Sequence, residues 1–259
     1  MLEFDRLVKI METLRAPGGC PWDAEQTHKS LAKNMIEEAY ELVDAIEGDN
    51  AEAMMEELGD VLLQVVFHST IAREAGRFAI EDVVNTLCDK LVYRHPHVFG
   101  DGQAGDAADV IRNWDRLKRR ENGKQQRESI LSGIPEAMPA LLYALKIQAS
   151  AARAGFDWET AQEVFAKIAE EVTELGEAGE TGSCRDMEEE LGDLLFSVVN
   201  LARKLELDPE AALRRSCSKF AGRFHEIEKT ARTAGTGLAE MPMEEKERIW
   251  QAAKAGRGE

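Results

Sequence analysis

Residues 161–204 read AQEVFAKIAEEVTELGEAGETGSCRDMEEELGDLLFSVVNLARK, and the spacing within this stretch decides the fold. Thr160 and Glu163 have the spacing of a capping box, which opens a helix running to about Gly179. Ser183 is placed to cap a second helix. Its Leu191, Leu194, Leu195, Val198, Val199 and Ala202 recur at the i, i+3, i+4, i+7 spacing of one helical face. Asp208-Pro209 fits the N-cap and first position of a third helix, because proline lacks an N–H that would be unpaired there anyway. Strand-like alternation is absent, and Gly and Pro fall between the periodic segments. The expected class is all-α.

The same pattern occurs earlier in the chain. Glu37-Glu38-x-x-Glu41 followed by Glu57-Leu58-Gly59-Asp60 matches Glu170-Glu171-x-x-Glu174 followed by Glu190-Leu191-Gly192-Asp193, at a constant offset of 133. A third block, Cys88-x-Lys90-x-x-x-Arg94, matches Cys217-x-Lys219-x-x-x-Arg223 at an offset of 129. The chain is a tandem duplication of one helical unit. In the first copy Gly48 is the expected stop and Asp49 or Asn50 the next cap. Between the copies, Glu121-Asn122-Gly123-Lys124-Gln125-Gln126-Arg127 is polar and lacks an apolar stripe, so it reads as a linker or a frayed helix end. The expected domains are 1–125 and 126–259, the second module starting around Ile134-Pro135.

Composition narrows the chemistry. The chain has 259 residues, with 32 Lys+Arg against 49 Asp+Glu and a net charge of −17. That balance argues against tracking the phosphates of a nucleic-acid polymer. Local phosphate binding stays open where divalent cations neutralise clustered carboxylates. No apolar run has the length of a membrane span, and the N-terminus reads as an amphipathic helix with early acidic residues, not as a signal peptide. Cys20, Cys88, Cys184 and Cys217 have neither CxxC spacing nor His partners at zinc distances, as expected of thiols in a cytoplasmic protein.

Glu171 and Glu174 stand three apart on one helical face, and Glu190 and Asp193 do the same on the next helix. If the two helices pack antiparallel, four carboxylates converge across one groove. Oxygen donors without His or Cys suit Mg²⁺, with Mn²⁺ as a substitute, better than zinc or copper. A rich supply of Glu and Asp also yields such spacings on solvated faces. Gly192, and Gly59 in the first copy, interrupt a helix between two candidate ligands at a cost to helix stability, which favours the site.

These residues resemble those of a known family. EExxE followed by ExxD is the signature of the MazG-type, all-α nucleotide pyrophosphatases. The similarity covers the whole chain, including the duplication, Gly19-Cys20-Pro21-Trp22-Asp23 and Arg94-His95-Pro96-His97-Val98-Phe99. The resemblance implies two tandem copies of a four-helix module that forms a homodimer, binds Mg²⁺ at the acidic motif and cleaves nucleoside triphosphates to monophosphate and pyrophosphate. On that basis Glu171, Glu174, Glu190 and Asp193 hold metal, with Glu38, Glu41, Glu57 and Asp60 as their first-copy counterparts. Glu170 and Glu171 are the candidates for orienting or deprotonating the attacking water. Lys219 and Arg223, four apart on the third helix, are expected to contact phosphate oxygens. Lys167, one turn before Glu171, is placed to join them, and Trp250 is a candidate for stacking on the base.

The copies differ around the acidic motif. Asn200 lies seven residues after Asp193, on nearly the same helical face, and corresponds to Phe67; Lys167 corresponds to Asn34. The second copy is therefore expected to carry most of the activity. His95-Pro96-His97 has the wrong spacing for a metal site, while Trp22 and Trp114 are candidate pocket elements. A ferritin-like di-iron protein would need Glu-x-x-His motifs, which the Asp60 and Asp193 positions do not supply. The alternative from another class is a non-catalytic nucleotide-binding or protein-interaction module.

Overall fold

The computed structural model describes residues 2–103, 105–106, 109–110, 113–114, 117 and 129–256. Among them there is no strand. The chain divides into two compact units, Met1–Gln125 and Gln126–Glu259. The polar stretch Glu121-Asn122-Gly123-Lys124-Gln125-Gln126-Arg127, read above as a linker, lies outside the described residues. No described helix is long and apolar enough to cross a membrane.

The first unit contains α1 (Leu2–Arg15), α2 (Pro21–Glu25), α3 (His28–Glu47), α4 (Ala51–Glu74), α5 (Ile80–Arg94) and α6 (Pro96–Phe99). Helices α3 and α4 form its main pair. Thr27 caps α3 through a capping box with Ser30, and Asn50 Oδ1 accepts from the N–H groups of Glu52 and Ala53 at the start of α4. Gly48 closes α3, so the turn between the helices is only three residues long and the pair runs antiparallel. Helix α1 packs across α4. The resulting core joins Met11, Leu31, Val66 and Phe67, with Phe4, Leu7, Val8 and Leu14 of α1 against it. Arg15 seals the end of that core. Its guanidinium pairs with Glu74 at 2.7 Å, donates to the carbonyl oxygens of Asp23 and Gln26, and lies 5.3 Å from the centre of the Phe67 ring.

The second unit contains α7 (Ala140–Arg153), α8 (Ala161–Thr181), α9 (Cys184–Lys204), α10 (Pro209–Ala234) and α11 (Met243–Gly256). The capping box at Thr160 and Glu163 forms, and Ser183 and Asp208 cap the next two helices through their side-chain oxygens. Gly182 ends α8 with φ of 72°, in the left-handed region where a side chain is strained. A turn of two residues then forces α8 and α9 into an antiparallel hairpin, the most extensively packed helix pair among the described residues. Helix α7 lies against α9, and α11 against α10.

The apolar stripe of α9 is only partly core. Val199 is buried and Leu194 and Ala202 are half-buried, but Leu191, Leu195 and Val198 remain exposed. Periodicity marks an apolar face without saying what covers it, and within this unit only one side of that face is packed. Gly59 and Gly192 need a similar correction. A Cβ built at either meets nothing within 4 Å, so packing within the chain does not require glycine there.

Phe67 is 3% exposed and lies at the centre of the first core. Phe67→Ala is expected to destabilise the first unit by about 3–5 kcal/mol, read as a lower urea midpoint for its unfolding. An unchanged midpoint would show that the ring does not hold that core.

Candidate active site

The α8–α9 hairpin brings carboxylates from facing helices together. One oxygen each from Glu171, Glu174 and Glu190 lies within 4.8 Å of the others. Glu171 is 4% exposed, while Glu174 and Glu190 are half-buried. Among the described residues the cation bonded to the group is Lys167, whose ammonium lies 2.8 Å from Glu171 and 2.9 Å from Glu170. Hydrogen bonding to Glu171, then to Glu170, holds that ammonium well above the usual lysine range. Glu190 is pushed above the ordinary glutamate range by burial first, then by the charges of Glu174, Glu171 and Asp193. Asp193 is exposed and falls outside the mutual 4.8 Å set, but it is near enough to add to this push. Glu170, bonded to the same ammonium, has a side chain 57% exposed and is absent from the mutual 4.8 Å set.

The first unit repeats the arrangement at Glu38, Glu41 and Glu57, again within 4.8 Å. Burial and the charges of Asp60, Glu41 and Glu57 raise Glu38, and burial with Glu41, Glu56 and Asp60 raises Glu57. Asp60, like Asp193, acts on its cluster from outside the tightest set. Neither cluster contains His or Cys. Both donor sets are hard carboxylate oxygens held close enough to share one ion, which fits Mg²⁺ or Mn²⁺.

A cavity of about 700 Å³ opens beside the second cluster. Lys167, Glu171, Asp193, Asn200 and Arg203 form its polar wall, and Ile147, Phe156, Trp158 and Phe196 its apolar wall. Residues 155–158, just before α8, supply two of those aromatics. They are fastened by Asp157, which accepts hydrogen bonds from Arg203 (Nη1, 3.2 Å) and Lys204 (Nζ, 3.0 Å); Arg203 Nη2 makes a further ion pair with it. Hydrogen bonding from Arg203, then from Lys204, holds the Asp157 carboxyl below the usual aspartate range against the opposing effect of burial. Lys204 also donates to the Trp158 carbonyl. Sequence reasoning had not identified Asp157, Arg203, Gln148, Phe156 or Trp158. The available signal was Arg203, three residues after Asn200 on the same helix.

Lys219, Arg223 and Trp250 stand apart from this cavity and form no part of its lining. The Arg223 guanidinium lies 5.4 Å from the Trp250 ring centre, Phe220 meets the same ring edge-on at 5.1 Å, and Trp250 packs against Ile227, Ala231 and Met241. Lys219 is exposed on the same helix. The first unit has the matching pair, with Arg94 lying 5.1 Å from the Trp114 ring. His95 also packs on Trp114, and its Nδ1 bonds to the Leu91 carbonyl at 2.7 Å. That residue is engaged in closing a helix. Trp22 is 58% exposed. All four cysteines are free.

Comparison with known proteins matches the same two stretches of the chain to one family. The profile of the MazG nucleotide pyrophosphohydrolase domain matches residues 26–99 and again residues 159–227, each match spanning one acidic hairpin. The nucleoside triphosphate pyrophosphohydrolase/pyrophosphatase MazG of Thermotoga maritima is 49% identical over 253 residues, 98% of this chain and 96% of its own. The nucleoside triphosphate pyrophosphohydrolase of Escherichia coli strain K12 is 41% identical over 257 residues, 98% of both chains. That of Mycolicibacterium smegmatis is 35% identical over 209 residues, 80% of this chain and 60% of its own. With both copies matched and the full length shared, the chain belongs to the MazG nucleotide pyrophosphohydrolase family.

Proposed function

We propose that this protein hydrolyses nucleoside triphosphates, ribo and deoxy alike, to nucleoside monophosphate and pyrophosphate with Mg²⁺, and that the second unit carries most of the turnover. The observation that carries this reading is the contact between the two halves of one site. Glu171 belongs both to the carboxylate cluster and to the wall of the 700 Å³ cavity, so an ion held by the cluster lies beside a ligand held in the cavity. That volume falls in the range of about 300–1,000 Å³ typical of small-molecule sites. The names of the relatives point to the same substrates.

In this mechanism Glu171, Glu174, Glu190 and Asp193 hold the cation. A divalent ion there supplies charge neutralisation for the triphosphate and a water acidic enough to attack near neutral pH. The water oxygen bonds to the α-phosphorus as its proton passes to Glu170 or Glu171, the bond from the α-phosphorus to the α–β bridging oxygen breaks, and pyrophosphate leaves. Glu170 and Glu171 flank the Lys167 ammonium, which offsets part of their charge before substrate arrives and can turn toward phosphate afterwards. Lys219, Arg223 and Trp250 are assigned to substrate by resemblance alone. A homodimer is part of the same proposal, supported by the exposed Leu191, Leu195 and Val198 on the hairpin; sedimentation of a single-chain species would remove it.

The first unit is proposed to bind metal at Glu38, Glu41, Glu57 and Asp60 while contributing little turnover. Phe67 fills the place that Asn200 leaves open in the second copy. Glu38→Ala with Glu41→Ala is expected to leave turnover near wild type. Loss equal to that from second-unit variants would refute the division of labour.

Purified protein incubated with ATP, Mg²⁺ and oxygen-labelled water is expected to release pyrophosphate and place the label in AMP. Glu171→Gln should lower kcat by about 100-fold or more while the helices stay folded by circular dichroism. Release of orthophosphate, or binding of ATP without turnover, would favour the nucleotide-binding module instead.

The raised carboxylates also fix a pH dependence. Glu190, Glu38 and Glu57 hold their protons to higher pH than in the unfolded chain. The metal-free native state therefore binds more protons than the unfolded state just above the ordinary glutamate range, and its stability falls as pH rises through that window. Mg²⁺ must displace those protons, so its affinity rises over the same window. The melting-temperature gain from Mg²⁺ should grow from mildly acidic to neutral pH. A gain independent of pH would mean that these carboxylates are not the ligands.

A further inference from the structure

The polar wall of the second-unit cavity contains a chain of oriented groups that the metal chemistry does not use. Arg203 donates to Asn200 Oδ1 from Nε at 3.1 Å and from Nη2 at 2.8 Å, while its Nη1 and Nη2 also reach Asp157. A guanidinium offers donors only, so the Asn200 amide must turn its oxygen toward Arg203. Its NH₂ group, which makes no hydrogen bond among the described residues, is left over. Asn200 lines the cavity.

One turn earlier, Gln148 on α7 donates from Nε2 to the Phe196 carbonyl at 2.8 Å, which fixes that amide in the same way. Its Oε1 is buried and without a partner among the described residues, and Gln148, 7% exposed, also lines the cavity. The wall therefore carries an amide donor and an amide acceptor of assigned orientation, close to the aromatic faces of Phe156, Trp158 and Phe196. Flat apolar faces with oriented amides suit a planar heterocycle, not phosphate. Arg203 is a poor phosphate hook too, since Nε, Nη1 and Nη2 each already donate to Asp157 or Asn200.

The first unit shows that the fold does not need this network. At the same offset of 133, Asp157, Asn200, Arg203 and Lys204 correspond to Ala24, Phe67, Thr70 and Ile71. All four are replaced together, yet the α3–α4 hairpin and its carboxylate cluster form as they do in the second unit. What differs is the space beside Phe67, which is 3% exposed and packed as core.

We propose that Asp157 is a positioning residue for nucleoside recognition: it fixes Arg203, which holds Asn200 Oδ1 and so presents the Asn200 amide N–H groups to an acceptor on the nucleobase. This rests on the pyrophosphohydrolase reading of the same site. The test uses the full chain with Mg²⁺, reading steady-state ATP hydrolysis and calorimetric binding of α,β-methylene ATP. Asp157→Asn removes the charge that anchors Arg203. Asn200→Asp keeps an acceptor for Arg203 and replaces the N–H donors by a second carboxylate oxygen, and Asn200→Ser, which adds no charge, separates loss of the donors from repulsion, so the pair reports even if the first variant folds poorly.

Each variant is expected to weaken analogue binding and raise KM about tenfold, the scale of one lost hydrogen bond, with kcat within about twofold and Mg²⁺ binding intact. The double variant should be no worse than either single one, because both break one relay. If Asp157→Asn lowers only the melting temperature, or Asn200→Asp leaves KM and analogue binding unchanged, the inference fails while the hydrolase reading stands. A wild-type protein that neither turns over ATP nor binds the analogue would overturn both.

Discussion

Like charges held together by a helical hairpin are the constraint around which this protein is arranged. A two-residue turn between α8 and α9, with Gly182 in the left-handed conformation, leaves the helices no choice but to lie antiparallel. Antiparallel packing then places Glu171, Glu174 and Glu190 within 4.8 Å, with Lys167 bonded to Glu171 as a counter-charge. Such a cluster works against its own ionised form, as the raised Glu190 shows. The stability that holds it comes from the capped helix ends and the apolar contacts along the hairpin. The carboxylates gain only when a proton or a cation joins them.

The duplication shows how one scaffold supports two different surroundings for the same cluster. In the first unit α1 brings Met11 and its neighbours onto α4, Phe67 fills the centre, and Arg15 closes the end over that ring while paired with Glu74. In the second unit α7 occupies the comparable place on α9, but the residue matching Phe67 is Asn200, and a cavity remains. The arginine there is Arg203, which comes from α9 itself and faces Asp157. One unit invests its space in packing and the other leaves it open to a ligand.

The sequence revealed whatever is local and periodic. Caps at Thr160, Ser183, Asp208 and Asn50 were legible because capping needs a particular side chain a fixed distance from the first turn. The convergence of Glu171, Glu174 and Glu190 was legible once the helices were taken as antiparallel. Coverage was not: Leu191, Leu195 and Val198 have the same spacing as core residues and are exposed. Nor was the role of Asp157, whose partners Arg203 and Lys204 lie more than forty residues away. A lone Asp before a capping box carries no sign of them.

The two arginine contacts of the second unit can be separated by what the first unit keeps. Arg223 against Trp250 recurs as Arg94 against Trp114, although only one of the two hairpins opens onto the cavity described here. The contact is common to both copies, and Trp250 also packs against an apolar cluster. The Asp157–Arg203–Asn200 chain has no such counterpart, since every member is replaced in the first copy. It follows the cavity, not the fold. Residues that track the cavity in this way are the ones whose chemistry a bound nucleoside would meet, and residues that track the fold set the frame in which it is met.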